Sequence, residues 1–309
     1  MYPKLLNSAI SLAFAASVAF AAVALMADSS VTAQTTMTGD WTASLDNDAS
    51  GKINLRFQRR TEKGSHNQMG QSFDFDDLQG LSRDQVTNGG PVKFSLVREA
   101  GRIDCEGTFQ NGKGSGTFRF AANPSFVSAM KSRGFDFEKY SNIDDDDHSE
   151  NRLFAATTLN VTTALADDLT SAGFGKLQVD DLFKAAIFKI DSQFMREMKA
   201  TGFPNLGMED LVKARIFKID ANFVSQVSQM GFDKEPFESL VKLRIFKVTP
   251  EFLTEVRNEG LTDVSIEDAV KMRIFKIDGD FIRQAKAEGV PLDVERLVQK
   301  KLGFRAHAR

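Results

Sequence analysis

The chain has 309 residues, 42% of them apolar and 26% charged, with a formal net charge of −3. This suits about two folded domains, and it gives no basic excess to suggest nucleic acid or an anionic membrane as partner. The single cysteine, Cys105, excludes an intrachain disulfide and a cysteine zinc cluster.

The first 33 residues read as an export signal. Lys4 supplies a short positive region, and Ile10 to Ala27 is apolar apart from Ser11 and Ser17. Val31-Thr32-Ala33 places small side chains where a signal peptidase needs them, so cleavage before Gln34 is expected. An uncleaved anchor is the alternative, because the apolar run approaches the length of a spanning helix. Either way the rest of the chain is expected outside the cytoplasm, periplasmic or extracellular.

Residues 38–122 alternate with the period of two that marks half-buried strands. Trp41, Ala43 and Leu45 share a face, as do Ile53, Leu55 and Phe57. Phe73 and Phe75 flank Asp74; Val92, Phe94 and Leu96 alternate with Lys93 and Ser95. Ile103, Cys105, Gly107 and Phe109 make another run, and Phe118 with Phe120 closes the series. Asn111-Gly112 is a strong hairpin signal, and Asp76 to Asp84 has room for one short helix. The expectation is about six antiparallel strands in a small sandwich or up-and-down barrel. Phe is abundant, 27 residues against 2 Tyr and 1 Trp. It fills cores with no polar atom to satisfy, so the inner face is a filled core or, alternatively, a small ligand cavity. On that face Cys105 is expected to be a buried, inert thiol. The loop with Arg59, Arg60, Lys63 and His66 is basic.

Residues 123–304 carry an internal repeat. Ile187-Phe188-Lys189 recurs at 216–218, 245–247 and 274–276, each time 29 residues on. Gly173, Gly202, Gly231, Gly260 and Gly289 keep the same period, as do Phe194, Phe223, Phe252 and Phe281. Each unit reads as two short helices, A and B. Helix A includes Asp210 to Lys213 and ends near Lys218; Ser265 caps one copy, with Asp268 three residues on. Helix B follows Asp191, Asp220, Thr249 or Asp278, all good N-caps, and stops at the periodic glycine. Pro250 after Thr249 suits a first helical position. Degenerate copies extend the array. Asn123 to Gly134 is a lone helix B, Ser149 and Thr162 cap the next pair, and Val294 to Phe304 is a final helix A. An α-helical solenoid of 29-residue helix–turn–helix units follows, with atypical ends as caps. Stacking is expected to bury Leu211, Val212, Ile216, Phe223, Val227 and their equivalents. The insert 136–148 carries Asp144 to Asp147 and His148 but lacks EF-hand spacing, so a solvated loop is expected rather than a calcium site. Residues 305–309 form a short basic tail.

Charge repeats as well. Lys184, Lys213, Lys242 and Lys271 each follow an acid by four residues, the favourable order for pairing within a helix. Arg215, Arg244 and Arg273 have no such partner. With Lys218, Lys247 and Lys276 they are the candidate partner-binding residues. There is no HExxH, GxSxG, P-loop or GxGxxG motif, and His66, His148 and His307 lie far apart in sequence. No catalytic residue, cofactor or metal site is expected. Nothing in the sequence sets the oligomeric state.

The motif Asp210-Leu211-Val212-Lys213-Ala214-Arg215-Ile216-Phe217-Lys218, with Thr249-Pro250-Glu251-Phe252 and the later glycine, resembles repeats appended to metallopeptidases of the beta-lactamase-sensor type. The stretch with Gly39-Asp40-Trp41, Gln58-Arg59-Arg60, Leu96 to Gly101 and Cys105-Glu106-Gly107 is similar to the β domain before such repeats in exported proteins of acidobacterial type. The resemblance implies an envelope protein whose repeats bind something; the peptidase motif is absent, so no protease role comes with it. The reading is therefore an extracytoplasmic binding or scaffold protein with a protein or cell-envelope partner, and as alternative a carrier of a small hydrophobic ligand in the Phe-rich β domain.

Overall fold

The computed structural model describes residues 36–45, 51–60, 66–139, 146–173 and 175–303. The signal segment, the basic tail, Lys63 and residues 140–145 of the acidic insert lie outside them.

Among the described residues seven antiparallel strands form one curled sheet, a half-barrel: β1 (Thr36–Leu45), β2 (Ile53–Arg60), β3 (His66–Phe73), β4 (Leu78–Gln79), β5 (Gly90–Arg98), β6 (Gly101–Gln110) and β7 (Lys113–Ala122). The order is β3-β2-β1-β7-β6-β5-β4, so β1 and β7 meet at the centre. The sheet is barrel-like rather than a sandwich because one curled layer carries every strand. The tight hairpin β6–β7 turns on Asn111 and Gly112, both at positive φ (52° and 73°), as a two-residue turn that follows the sheet's twist requires. Gly107 and Gly116 face each other across that hairpin. A side chain on Gly107 would press within 2.6 Å of the Trp41 ring; its absence lets the indole lie on the sheet and donate to the Glu106 carbonyl (3.3 Å).

Three sequence expectations shift here. Arg59 and Arg60 end β2 and His66 begins β3, so they belong to strands and not to a loop. Phe75 leaves the strand and starts a 3-10 turn, Phe75–Asp77, and the acidic stretch to Asp84 does not make one helix. It forms β4 and then α1 (Arg83–Asn88), whose start is fixed by a Ser82/Gln85 capping box.

After β7 come α2 (Pro124–Ser132), α3 (Asp146–Leu159), α4 (Thr163–Ser171), α5 (Val179–Phe188), α6 (Ser192–Ala200), α7 (Met208–Phe217), α8 (Ala221–Gln229), α9 (Phe237–Ile245), α10 (Pro250–Asn258), α11 (Ile266–Phe275), α12 (Gly279–Ala287) and α13 (Val294–Lys301). Odd-numbered helices from α3 onward form one layer, A, and even-numbered ones from α2 the other, B; successive A helices pack on one another. The B-helix caps are as read: Thr162, Asp191, Asp220, Thr249 and Asp278 each accept from a backbone N–H in the first turn. Ser149 is not a cap, because α3 starts at Asp146, inside the acidic run, where negative charge suits a helix N-terminus. Helices this short are marginal alone in water. Shared burial of Leu211, Val212, Ala214, Phe223 and Val227 with their equivalents in neighbouring units holds the stack.

The sheet and the array are one compact unit. Phe154 of α3 enters the open side of the half-barrel, with ring centroids 5.3–5.5 Å from Phe57, Phe118 and Phe120. Glu99, in the β5–β6 turn, accepts from the backbone and hydroxyl of Thr163 (2.9 Å each), anchoring α4 to the sheet.

Candidate interaction ridge on the helical array

Helix A and helix B end in the same way with different residues. At the end of helix B a glycine sits at positive φ: 102° at Gly202, 91° at Gly231, 107° at Gly260. At the end of helix A the left-handed position is a lysine: Lys189, Lys218, Lys247 and Lys276, φ 52–54°. In both cases the next residue's N–H closes a six-residue loop back onto the helix, as Phe232 does to Val227 (3.1 Å) and Ile219 to Ala214 (2.9 Å). A side chain in this conformation costs about 1–2 kcal/mol relative to the right-handed region, and glycine avoids that cost. The array therefore uses glycine where only the turn is needed and keeps lysine on layer A. All four lysines are exposed, and among the described residues none forms an ion pair.

Two residues before each lysine is the repeated isoleucine, and the expectation that it is buried fails. Ile187, Ile216, Ile245 and Ile274 are 52, 52, 48 and 51% exposed, whereas Ile219, three residues after Ile216, is 1% exposed. Helical geometry explains the difference. Ile216 lies seven residues after Glu209 and three after Lys213, on the charged stripe of α7, and Leu211 and Ala214 face inward. The exposed isoleucines make up four of the seven large exposed apolar side chains among the described residues. A scattered exposed isoleucine needs no explanation; a row repeated at one position does.

The arginine row has an internal role. Arg215 lies over the Phe194 ring at 3.6 Å and donates to the Lys189 carbonyl at 2.6 Å. Arg244 repeats this on Phe223 (3.7 Å) and the Lys218 carbonyl (2.9 Å). Arg273 lies 5.0 Å from Phe252 and donates to the Phe246 carbonyl. Each guanidinium joins its unit to the one before. The first lysine row also reaches between units. Lys184, Lys213, Lys242 and Lys271 pair with Glu209, Glu238, Glu267 and Glu295 of the following unit, not with the acids four residues earlier. Of the sequence-selected residues, the arginines are thus engaged within the array, and Lys218, Lys247 and Lys276 stand with the isoleucines on its surface.

The copy beside the sheet differs in an informative way. In the 29-residue register α3 carries Thr157, Thr158 and Asn160 where α7 carries Arg215, Ile216 and Lys218. Thr157 and Thr158 are 0 and 1% exposed. Asn160 holds the left-handed position (φ 57°), the ordinary non-glycine choice. Where layer A packs on the β domain, the isoleucine and the lysine are both missing.

Two concavities of the β domain are lined by described residues. One, of about 720 Å³, lies on the polar face, lined among others by Ser95, Arg102, Asp104 and Arg119. Ser95 and Arg102 both donate to Asp104 (2.5 and 2.6 Å). Burial works against the Asp104 charge, but these two bonds hold its carboxyl below the ordinary value. The other, about 240 Å³, is apolar, lined by Met37, Phe57, Met69, Phe118 and Phe154 with Arg59, Gln68 and Asn151 around it. Cys105 is buried, and its burial pushes the thiol far above its usual range, so it carries no nucleophile. Among the described residues no three His, Cys, Asp or Glu side chains converge as metal ligands would, and no helix is long and apolar enough to cross a membrane. The side chains of His66, His148 and Asp144 to Asp147, and all of His307, lie outside the described residues. Compared with known protein families, curated proteins and solved structures, the chain matches none.

Proposed function

We propose that this chain is an exported binding scaffold whose helical array presents the Ile187–Ile216–Ile245–Ile274 row, with the left-handed lysines beside it, to a protein or cell-envelope partner. The observation that carries this reading is the half-exposure of isoleucine at one repeat position in four consecutive units. Regular repetition of an exposed apolar side chain is the pattern of an extended contact surface. The β domain holds one end of the array, and export follows from the N-terminal segment.

The test is site-specific photocrosslinking of the full chain in its native envelope fraction. A crosslinker at Ile216 or Ile245 is compared with one at exposed Asn258 in layer B. Discrete adducts from the ridge positions alone support the scaffold reading. The same adducts from all three sites contradict it.

The carrier reading rests on the apolar pocket between sheet and α3. At about 240 Å³ it falls below the roughly 300–1,000 Å³ of drug-sized sites, because Phe154 occupies much of the open side. A small apolar molecule is the most it would take.

A further inference from the structure

We propose that the ridge takes an acidic, amphipathic polypeptide segment, its apolar side chains on the isoleucine row and its carboxylates on Lys189, Lys218, Lys247 and Lys276. This rests on the scaffold reading and adds the chemistry of the partner.

Charge complementarity is the first argument. The ridge has two kinds of charge on its borders. Toward the N-termini of the A helices the Lys–Glu pairs between units neutralise one another. Toward the C-termini the four left-handed lysines are exposed without an ion-pair partner among the described residues. The acids two residues on, Asp191, Asp220 and Asp278, are engaged as caps of the B helices, so the charge left beside the apolar row is that of the lysines, and the complementary partner is apolar and negative.

Continuity with an existing interface is the second. In α3 the position equivalent to the isoleucine is Thr158, buried, one turn from Phe154, which packs on Phe57, Phe118 and Phe120 of the sheet. Phe154 itself holds the register place of the buried Val212, so in α3 the isoleucine position lies one turn beyond a side chain that packs on another part of the chain, and it is covered there rather than exposed. There the left-handed position is Asn160; along the open units a lysine stands in its place despite the conformational cost.

The width of the row decides between occupants. A lipid surface laid on the isoleucines would also meet Glu209, Glu238 and Glu267, which lie on the same stripe two turns away. A bilayer pressed on that stripe would have to strip water from the exposed Lys–Glu pairs, which costs more than they regain. A second copy docked ridge to ridge offers the lysines either lysines or neutral Lys–Glu pairs, and no net negative charge. A polypeptide can follow a row one side chain wide. Three helix spacings of 8–10 Å make the row about 24–30 Å long, a length that about nine extended residues cover.

The test measures binding of labelled peptides to the full chain by fluorescence anisotropy. The probes are an alternating Leu/Glu peptide long enough to cover the row, its Leu/Lys counterpart, and oligo-glutamate of equal length. Vesicles with and without phosphatidylglycerol form the lipid arm. The variants are Ile216→Ser with Ile245→Ser, and Lys218→Gly with Lys247→Gly, the second chosen because glycine suits the backbone there. The expected result is binding of the Leu/Glu peptide alone, weakened at least about tenfold in each double variant and by added salt only where the lysines are intact. Equal binding to all variants, equal binding of oligo-glutamate, no peptide binding, or ridge-dependent binding to vesicles instead would each overturn the proposal. Ridge-specific crosslinks together with no Leu/Glu binding would remove this inference and leave the scaffold standing; loss of both would remove both.

Discussion

The guanidinium of Arg215 stacks 3.6 Å above the ring of Phe194 and also donates to the carbonyl of Lys189. One side chain therefore ties together the B helix and the A-helix terminus of the preceding unit. It also links the two motifs that keep the 29-residue period. Replacing Arg244 by Ala is expected to lower stability by about 1–2 kcal/mol, the loss of a cation–π contact and a charged hydrogen bond. Arg244→Lys is expected to recover little, because an ammonium lacks the flat fork that does both. Urea titration of each variant checks this; a lysine variant as stable as the parent would contradict the latch.

Lys218→Gly is expected to raise stability by about 1 kcal/mol, because the left-handed turn no longer carries a side chain. Most surface replacements sit near zero or cost stability, so the sign is diagnostic. Thermal unfolding of the single variant and of Lys218→Gly with Lys247→Gly reads it directly. A loss of stability would mean that the lysines are structural.

The Lys–Glu pairs between units predict a charge-swap result. Lys242→Glu lowers the urea midpoint, and adding Glu267→Lys restores most of it; high salt shrinks both effects, since the pairs are exposed. The hydrogen bond and charge of Lys242 hold Glu267 below its ordinary value. A carboxylate with a depressed folded pKa stabilises above its unfolded pKa, and that contribution disappears as pH falls through the folded value. The salt-sensitive part of the stability is thus expected to be constant near neutrality and lost in acid.

Phe154→Ala is expected to cost about 3–5 kcal/mol, the range for emptying a buried aromatic site, and to expose Phe57 and Phe118 to solvent dyes. By the same argument residues 36–122 without α3 would show an uncovered apolar face. Dye binding by the variant and by the truncated chain tests the coupling.

Much of this fold is legible in the sequence. The strand alternation, the Asn111-Gly112 turn, the helix-B caps and the helix-B glycines all rest on local spacing, which a sequence displays. The features that spacing does not display depend on neighbours. Ile216 recurs with the same period as Leu211, and periodicity alone does not separate a core row from a surface row. The available signal was its offset, seven residues from Glu209 and three from Lys213, on the charged stripe. Four-residue spacing within a helix is visible in a sequence, whereas the approach of Glu238 to Lys213 from the next unit is not. Arg215 looked free for the same reason. The insertion of Phe154 into the half-barrel is a contact across domains, and nothing local announces it.

The most direct test of the central claim replaces all four ridge isoleucines, Ile187, Ile216, Ile245 and Ile274, by Gln in the full chain, with Ile219→Gln as the buried comparison. Unfolding midpoints and crosslinking from Asn258 and from Lys247 are measured in the native envelope. The ridge account predicts a midpoint close to the parent's, a large drop for Ile219→Gln, and loss of the adducts that form at Lys247. A four-fold variant that unfolds as readily as Ile219→Gln, or that keeps its Lys247 adducts unchanged, would contradict it.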